Sequence, residues 1–407
     1  ETECTALVDV CPHKAAALSE GRVTASGLVQ CAYHGWSFDK EGKCRDIPQT
    51  QATPTSACDA TSIPAHVHQG MIWLWPGPQP RQYPDPPTIP EMDDFKVTTV
   101  IRDLPFDWTL LVSNIMDPDH GLFAHQASAF DFYSASQDFP MEVNETYHDK
   151  NFQLSAKVPS VYKVLAQDAA TRGKKALQTN VSLWATTTFQ APTTVALCRR
   201  DAAGKPKFVS GFWVCPTGTG RSRFMSASIG PLKVPRWLMH LSINNFLDQD
   251  NFLVASQEPP VLKAEKEGKP RKSLFAYASP TDKLVSRVDA FWDATIWHAP
   301  NRNVQKEWSL ASRPQVLDRK VQHLDICPDS QDAVRNVKVH RASAIVSVAA
   351  WLARCLFTRS FRTRWLPVVA SLVGWLSHKF VSNFYFNYPE WKRDRDLKGI
   401  PKKIWQD

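Results

Sequence analysis

Four residues near the start of the chain have the types and the spacing of iron–sulfur ligands. Cys11 and His13 form a C-x-H pair, and after seventeen intervening residues Cys31 and His34 form a C-x-x-H pair. Thiolates on one iron and imidazoles on the other are the ligands of a Rieske [2Fe–2S] cluster. A structural zinc site uses the same donors, but zinc fingers usually pair like ligands in C-x2–4-C and H-x3–5-H. The mixed pairs therefore favour the Rieske cluster.

A second group of candidates follows the pattern N-x-x-D-x-x-H-x4-H, from Asn114 through Asp117 to His120 and His125. A non-haem iron(II) oxygenase holds its metal with two histidines and one carboxylate, which leaves positions open for O2 and substrate. His120 and His125 are the candidate imidazoles, and Asn114 and Asp117 are candidate catalytic residues. Asp117 lies one helical turn before His120, close enough to hydrogen-bond a ligand imidazole. The pattern alone is moderately specific, and the upstream cluster motif strengthens it because a cluster needs an electron acceptor.

The positions of the two histidines constrain the local backbone. Residues five apart on a straight α-helix diverge by about 140°, so we predict that a helix breaks or widens here, near Gly121. The third ligand must come from another segment. Residues 244–258 predict a helix that carries both Asp248 and Asp250. From the residues alone, an acid at either position is as readily a solvated helix residue as a ligand, and the choice stays open.

The elements that position these motifs predict an α+β fold. Short strand-like runs bounded by Gly, Pro and Asp fill the N-terminal part, and a proline-rich connector follows at 76–90. Strand-like runs at 181–185 and 208–214 then mix with helical patterns at 243–257 and 282–291. We predict an N-terminal all-β Rieske domain at 1–90, a catalytic domain with an antiparallel sheet at 91–338, and a C-terminal helical hairpin with a basic tail at 339–407.

The C-terminal hairpin is predicted from two apolar runs, at 342–357 and 365–377, which flank a basic turn. Each run is shorter than the roughly 20 residues needed to cross a bilayer upright. We favour a membrane anchor, either a pair of short transmembrane spans or an interfacial hairpin, over a buried hairpin that closes the catalytic domain. The basic tail at 392–403 suits anionic head groups.

Composition excludes two broad classes of protein. The 407 residues carry a net charge of +8, and only 22% of them are charged. The chain lacks the long Lys/Arg run that would indicate a dedicated nucleic-acid-binding protein. The nine cysteines are odd in number and thinly spread, unlike the dense paired framework of a small secreted domain. Metal ligation therefore deserves more weight than disulfide bonding.

Taken together, these motifs resemble the plastid Rieske oxygenases of the pheophorbide a oxygenase family. The resemblance lies in CPH-x4-LSEGR at 11–22, QC-x-YHGWSF at 30–38, IPQ at 47–49, MDP-x-H at 116–120 and QD-x6-QE at 249–258. It extends over nearly the whole chain and is thin between residues 130 and 230.

The resemblance implies a helix-grip catalytic domain, in which an antiparallel sheet wraps around a long helix. It casts Asp117 as the bridge through which electrons arrive from the Rieske histidine of a neighbouring subunit in a head-to-tail homotrimer. It implies that a [2Fe–2S] cluster is held by Cys11, His13, Cys31 and His34, and a mononuclear non-haem Fe(II) by His120, His125 and Asp250.

The resemblance also implies an activity. Ferredoxin would donate electrons, and O2 would oxygenate a chlorophyll-derived tetrapyrrole, with opening of the pheophorbide a macrocycle as the specific expectation. The enzyme would be attached to a chloroplast membrane, inner envelope or thylakoid, with its globular part facing the stroma. One alternative is a related monooxygenase that hydroxylates a chlorophyllide or a linear bilin. Another, of a different class, is a non-catalytic Rieske electron-transfer or redox-sensing protein of the envelope.

The sequence departs from this family at two places. Relatives often carry a C-x-x-C pair just before the hairpin, proposed as a thiol switch, whereas the corresponding stretch here, 323–330, contains only Cys327. Control through a dithiol at this place is therefore not expected. The N-terminus also resembles a clipped one, because only ten residues precede Cys11.

Overall fold

The structure is a computed structural model of the chain, and its backbone divides into two compact units, Glu1–Asp93 and Asp94–Asp407. The structure describes residues 4–75, 77, 85–92, 98–118, 120, 124–125, 132–134, 142–148, 151–162, 183–218, 220–230, 235–279, 282–295, 310–358 and 365–385.

The first unit contains short antiparallel strands joined by tight turns. Their bounds are β1 Ala6–Leu7, β2 Arg22–Val23, β3 Val29–Gln30, β4 Ser37–Phe38, β5 Cys44–Asp46, β6 Ser62–Ile63, β7 Ala65–His68 and β8 Met71–Leu74. The order β2-β3-β4-β5 forms a four-stranded sheet, while β1 pairs with β6 and β7 with β8. Phe38 and Leu18 are buried in a small core that also includes Cys11, Cys31 and Cys44. The two candidate cysteine ligands thus belong to the core of this unit, while His13 and His34 are partly exposed.

The second unit is built on one antiparallel sheet. Its strands are β9 Thr98–Leu104, β10 Phe132–Ser134, β11 Glu142–His148, β12 Asn151–Tyr162, β13 Leu183–Gln190, β14 Thr194–Arg200, β15 Pro206–Gly218 and β16 Arg221–Ile229. The sheet order is β10-β12-β13-β14-β15-β16-β9, and β11 pairs with β12. The first strand of the unit, β9, therefore pairs with the last one, β16, in the register Ser222 to Leu104.

Helices cover one face of this sheet. Their bounds are α1 Trp108–Met116, α2 Arg236–Lys266, α3 Asp282–Thr295, α4 Arg313–Val316, α5 Pro328–Thr358 and α6 Trp365–Tyr385, and a single π turn spans Lys320–Leu324. Leu247, Val254 and Val261 recur every seven residues along α2 and are buried in the same core as Phe189 and Phe224 of the sheet. This spacing places them on one face of the helix. The sheet thus packs against the apolar face of α2, and the predicted α+β helix-grip fold is confirmed.

The helix α2 runs past the end that the sequence pattern predicted. It contains Pro259 and Pro260 and continues to Lys266. Proline inside a helix removes a backbone donor and costs about 3 kcal/mol, but Val261 and Ala264 beyond the pair are buried in the core. Their burial offsets the local cost and keeps the last turns helical.

The C-terminal helices α5 and α6 pack against each other as the predicted hairpin. At its base, Leu324, Val334 and Phe384 form a small core with partly buried Leu241 and Phe380. Further out, apolar side chains are solvent-exposed, including Ile345, Val346, Leu356, Phe357, Trp365, Val368 and Trp375. Within the described residues, no helix combines the length and the hydropathy needed to cross a bilayer. The transmembrane form of the predicted anchor is therefore not supported; the basic turn at 359–364 and the tail at 392–403 lie outside the described residues.

The three-domain division stays a prediction. The backbone separates after Asp93, and helix α5 runs without interruption across the predicted boundary at residue 339.

Candidate metal centres

The four candidate cluster ligands lie on two turns of the same construction. In each, the cysteine carbonyl accepts a hydrogen bond from the residue four positions later, Ala15 to Cys11 at 2.9 Å and Gly35 to Cys31 at 3.0 Å. The backbone N–H of each cysteine donates to the carbonyl of the residue five positions later, at 2.8 Å and 2.9 Å. Ala15 and Gly35 both have positive φ, 56° and 76°. The chain therefore reverses sharply after each ligand pair, and glycine accommodates this backbone without strain.

The side chains of the two turns converge. The rings of His13 and His34 lie with centroids 4.6 Å apart at 63°, and His13 stacks on Trp36 at 4.6 Å and 4°. Gln49 donates a hydrogen bond to the carbonyl of His34 at 2.8 Å and fixes the second turn. Two buried thiols beside two adjacent imidazoles match the donor set of a Rieske cluster.

The surroundings of Cys11 and His13 favour the neutral thiol and the neutral imidazole. Burial, and the neighbouring Cys31, raise the pKa of Cys11. Desolvation, His34 and Lys14 lower the pKa of His13. The imidazole is thus ready to ligate, whereas the thiol must lose its proton when a metal binds.

The second centre is assembled from two segments that are distant in sequence. His120 Nε2 lies 3.3 Å from His125 Nε2, and the carboxylate of Asp250 lies 3.6 Å from the first and 3.2 Å from the second. Ligands about 2.1 Å from a common metal are separated by about 3 to 3.5 Å. The three donors therefore have the spacing of a two-histidine, one-carboxylate triad. His125 and Asp250 are buried, and the His120 side chain keeps 22% exposure.

The two imidazoles are held by different contacts. His120 Nδ1–H donates to the carbonyl of Asp117 at 2.7 Å, and because a carbonyl only accepts, the lone pair is left on Nε2, which faces Asp250. The carboxylate of Asp117 accepts the backbone N–H of His120 at 3.2 Å. His125 stacks on Phe246 of α2 with centroids 3.6 Å apart at 13°. Asp117 therefore fixes His120 through its main chain as well as its side chain.

The predicted helix break takes a different form. Helix α1 ends at Met116 and Asp117 is its C-cap, so both histidines follow the helix instead of lying on a widened turn of it. The carbonyl of Asn114 accepts the backbone N–H of Asp117 at this end, at 3.2 Å. Ala124 N–H donates to the carbonyl of His120 at 2.8 Å. Gly121 lies outside the described residues.

Asp248 and Asp250 occupy opposite sides of α2, as a separation of two residues on a helix requires. The Asp248 carboxylate contacts Arg102 Nη2 at 2.6 Å and Arg319 Nε at 2.6 Å, and all three side chains are buried. Arg102 also donates to Gln322 at 2.9 Å. Asp248 thus pairs with two buried guanidinium groups, while Asp250 faces the histidines.

Sequence reasoning missed a second group of donors in this unit. The side chains of His240, His323 and Cys327 are buried, and their ligand atoms lie within 4.8 Å of one another. Burial lowers the pKa of His323 to about 4, with smaller contributions from His240 and from Arg102 and Arg319. Cys327 drew attention only as an isolated cysteine, and no local spacing connects it to His240.

A planar apolar substrate suits a deep aromatic pocket, and the sequence offers six candidate lining residues: Phe130, Phe132, Tyr133, Tyr162, Trp184 and Phe189. Phe189 is buried in the core, where its ring contacts Phe291 and Trp292, so this residue is a core residue and not a pocket wall. The Trp184 ring lies under Lys157 Nζ at 5.1 Å. Phe130 and the side chains of Phe132, Tyr133 and Tyr162 lie outside the described residues.

Comparisons with known proteins match two family models to this chain. A Rieske [2Fe-2S] domain matches residues 1–58, and a pheophorbide a oxygenase family model matches residues 189–268. The chain is 28% identical to flavonoid 8-hydroxylase 2 of Ocimum basilicum, over 92% of this chain and 75% of that protein. It is 26% identical to pheophorbide a oxygenase of Arabidopsis thaliana, over 94% and 75%. These relatives are chloroplastic.

The fold has solved relatives. Dicamba monooxygenase bound to dicamba superposes with a TM-score of 0.53 at 23% identity, over 71% of this chain and 85% of that one.

Proposed function

We propose that the chain is a Rieske non-haem iron oxygenase that oxygenates a chlorophyll-derived tetrapyrrole and opens the macrocycle of pheophorbide a. The observation that carries this proposal is the convergence of His120, His125 and Asp250, with spacings of 3.2 to 3.6 Å. Asp250 lies within residues 189–268, which the pheophorbide a oxygenase model matches, and the two histidines precede that match. Three relatives that align with 91% to 95% of this chain are named for a chlorophyll-type tetrapyrrole. They are a protochlorophyllide-dependent translocon component and two pheophorbide a oxygenases.

The residues of both centres fit the groups that this family uses. Iron bound by His120, His125 and Asp250, together with a [2Fe–2S] cluster, would supply the electrons and the open coordination positions for O2 activation. The cluster would be held by Cys11, His13, Cys31 and His34, whose thiols are buried and whose imidazoles are adjacent.

The protein's own groups prepare the mononuclear site in three ways. The Asp117 carbonyl keeps His120 in the tautomer that presents Nε2. Phe246 stacks on His125 and restricts rotation of its ring. Arg102 and Arg319 hold Asp248 away from the site and leave Asp250 as the acid on the histidine side of α2. Asp117 and Asn114, at the end of α1, complete the proposed catalytic residues.

Ferredoxin is the proposed electron donor, as for Rieske oxygenases in general. We propose that the working unit is a homotrimer in which Asp117 lies next to the Rieske histidine of a neighbouring subunit. Sedimentation of the iron-loaded protein tests this, because a monomer would leave Asp117 without the proposed neighbour.

Membrane attachment is proposed on the exposed apolar side chains of the hairpin. Leu356 and Phe357 are 80% and 89% exposed at the far end of α5, and side chains of this kind insert into an interface. The proposed place is the inner envelope or thylakoid, on the stromal side. In a flotation assay, the protein should rise with vesicles of galactolipid and phosphatidylglycerol. The Leu356→Glu/Phe357→Glu variant should remain in the unbound fraction. Equal flotation of both proteins would exclude this surface as the attachment site.

The substrate proposal is tested by turnover. Purified iron-loaded protein, reduced ferredoxin and O2 are incubated with pheophorbide a, chlorophyllide a, protochlorophyllide, a linear bilin and a flavone. A red, ring-opened, bilin-type product from pheophorbide a supports the proposal. Hydroxylation of another compound without turnover of pheophorbide a contradicts it. Asp250→Ala is the inactive control.

A second candidate activity is hydroxylation of a flavonoid. It is favoured by the 28% identity to flavonoid 8-hydroxylase 2, which extends over 92% of this chain. The flavone in the same panel separates the two candidates, since a hydroxylated flavone retains its ring system whereas the pheophorbide product does not.

The alternative of a non-catalytic electron carrier is tested by metal content. About three irons per two labile sulfides are expected when both centres are filled, and about two when only the cluster is present.

A further inference from the structure

The base of the hairpin contains a second group of metal-binding side chains that the proposed oxygenase does not use. His240 lies in the first turns of α2, His323 lies in the π turn, and Cys327 directly precedes α5. All three are buried, and their donor atoms lie within 4.8 Å of one another. Turns of π-helix are rare in proteins, and those that occur often lie at functional sites. Three separate segments thus bring one thiol and two imidazoles to one point.

Three contacts at this point are somewhat shorter than the ligand separations around a tetrahedral zinc ion. His240 Nδ1 lies 3.2 Å from Cys327 Sγ and 3.3 Å from Ser330 Oγ, and His323 Nε2 lies 2.9 Å from Ser330 Oγ. Ligands at the zinc distances of about 2.3 Å for sulfur and 2.0–2.1 Å for nitrogen and oxygen are separated by about 3.4 to 3.6 Å. Outward shifts of a few tenths of an ångström would accommodate the ion, and the serine hydroxyl is placed to be a fourth donor.

The histidines are prepared for ligation. His323 Nδ1–H donates to the carbonyl of Ile101 at 2.6 Å, which leaves the lone pair on Nε2, on the side of Ser330. A second ring nitrogen bonded to a backbone carbonyl is the usual support of a metal-bound histidine. The two imidazole rings meet edge to face, with centroids 5.3 Å apart at 73°. Both rings thus direct nitrogen atoms to one point without stacking.

We propose that His240, His323 and Cys327 bind one Zn2+ ion, with the hydroxyl of Ser330 as the fourth donor. Thiolate and imidazole without a carboxylate are the donors of zinc and other thiophilic ions. On binding, the Cys327 thiol loses its proton to solvent and the sulfur–metal bond forms, with no change of oxidation state. The ion joins the start of α2, the π turn and the start of α5, so it fastens the hairpin to the helix that carries Asp250.

The test measures zinc and its ligands instead of activity. Full-length protein with a complete cluster, verified by labile sulfide, is incubated with Zn2+, desalted and analysed for metals. We expect about one zinc per chain, and zinc-edge X-ray absorption should show one sulfur at about 2.3 Å with nitrogen and oxygen at about 2.0 Å. Zinc in the cluster site would instead show two sulfurs. Absence of retained zinc overturns the proposal.

Two variants serve as matched controls. Cys327→Ser should lose at least about nine-tenths of the zinc, whereas Cys355→Ser, which changes another buried cysteine near the C-terminal end of α5, should keep it. Asp250→Ala should also keep the zinc while it loses mononuclear iron, which separates this site from the proposed catalytic one. Zinc that persists in Cys327→Ser is bound elsewhere and contradicts the proposal.

A gain-of-ligand variant covers the case in which Cys327→Ser does not fold. Ser330→Cys creates the C-x2-C spacing of zinc sites with Cys327. It should raise the sulfur count from one to two and lower the fraction of zinc removed by a fixed concentration of chelator at least about tenfold. An unchanged sulfur count in folded Ser330→Cys protein, verified by its Rieske spectrum, rules out Ser330 as a donor and overturns the proposed ligand set.

Discussion

Helix α2 contributes to two groups of buried donors that resemble each other in all but one ligand. His120, His125 and Asp250 combine two imidazoles with a carboxylate, while His240, His323 and Cys327 combine two imidazoles with a thiol. His240 and Asp250 are ten residues apart, about 15 Å along the helix. Oxygen donors suit iron with open positions for O2, and sulfur suits a closed zinc site. The third donor, not the histidines, therefore distinguishes the proposed catalytic centre from the proposed structural one.

Burial reinforces the difference. The His120 side chain keeps 22% exposure, whereas His240 and His323 are each 1% exposed. A catalytic metal needs an approach for its reactants, and a structural metal needs none. Between the groups, Asp248 binds Arg102 and Arg319 and occupies the other side of α2. The buried ion pairs thus separate two sites that share one helix.

The largest expected effect is loss of turnover in Asp250→Ala. Without the carboxylate the triad retains two ligands, and mononuclear iron should fall from about one per chain to background while the cluster keeps its two irons. Oxygenation should be undetectable and the Rieske spectrum unchanged. Metal analysis and product assay check this. Activity that survives in Asp250→Ala would remove this acid from the site and with it the first half of the comparison.

Asp248→Ala should act on stability instead. Two buried guanidinium groups lose their shared carboxylate, and breaking a buried pair in this way costs about 3–5 kcal/mol. Asp103→Ala is the matched control. Asp103 follows Arg102 on β9 and pairs with Arg223 in a half-exposed salt bridge, and such a bridge is worth about 1 kcal/mol or less. Denaturant unfolding measures both variants. A loss for Asp248→Ala no greater than for Asp103→Ala would show that the ion pairs do not support α2.

Asp117→Ala should lower turnover by about 10- to 100-fold, as expected when a supporting contact of a metal ligand is lost. The carbonyl that bonds His120 Nδ1 remains, so mononuclear iron should be retained. Steady-state assay with metal analysis distinguishes this outcome from ligand loss. If the iron disappears with the carboxylate, Asp117 is a ligand or is essential for ligand geometry.

The smallest effect concerns the rates of metal removal. A chelator should take iron from the partly exposed triad at least about tenfold faster than zinc from the sealed group, because the latter must open first. Timed metal analysis after addition of chelator measures both rates in one sample. Equal rates would show that burial does not distinguish the two sites.

The cluster motif, the fold class and the hairpin could be predicted from the sequence because each depends on residues that are close together in the chain. The C-x-H and C-x-x-H pairs each fit within one turn, and the structure brings Cys11, His13, Cys31 and His34 together on two turns of equal construction. The α+β class and the hairpin followed from short strand-like runs and from two apolar stretches. The assignment of these residues as ligands remains a prediction.

Tertiary contacts decided what the sequence left open. The choice between Asp248 and Asp250 depends on Arg102 and Arg319, which are 146 and 71 residues away from Asp248 in the chain. The end of α2 depends on the burial of Val261 beyond two prolines. The His240, His323 and Cys327 group has no local spacing at all. Each of these features is set by packing between distant segments, which periodicity does not encode.

The pairing of β9 with β16 has a consequence for synthesis of the protein. Leu104 finds its partner Ser222 only after more than a hundred further residues, and Ile101 meets His323 222 positions later. At about 5–20 residues per second, the ribosome takes about 11 to 44 s between Ile101 and His323. Until β16 has been made, about 6 to 24 s after Leu104 at the same rate, β9 lacks its neighbouring strand, and an unpaired strand is prone to join other chains. This first strand is therefore where a nascent chain most needs protection by a chaperone.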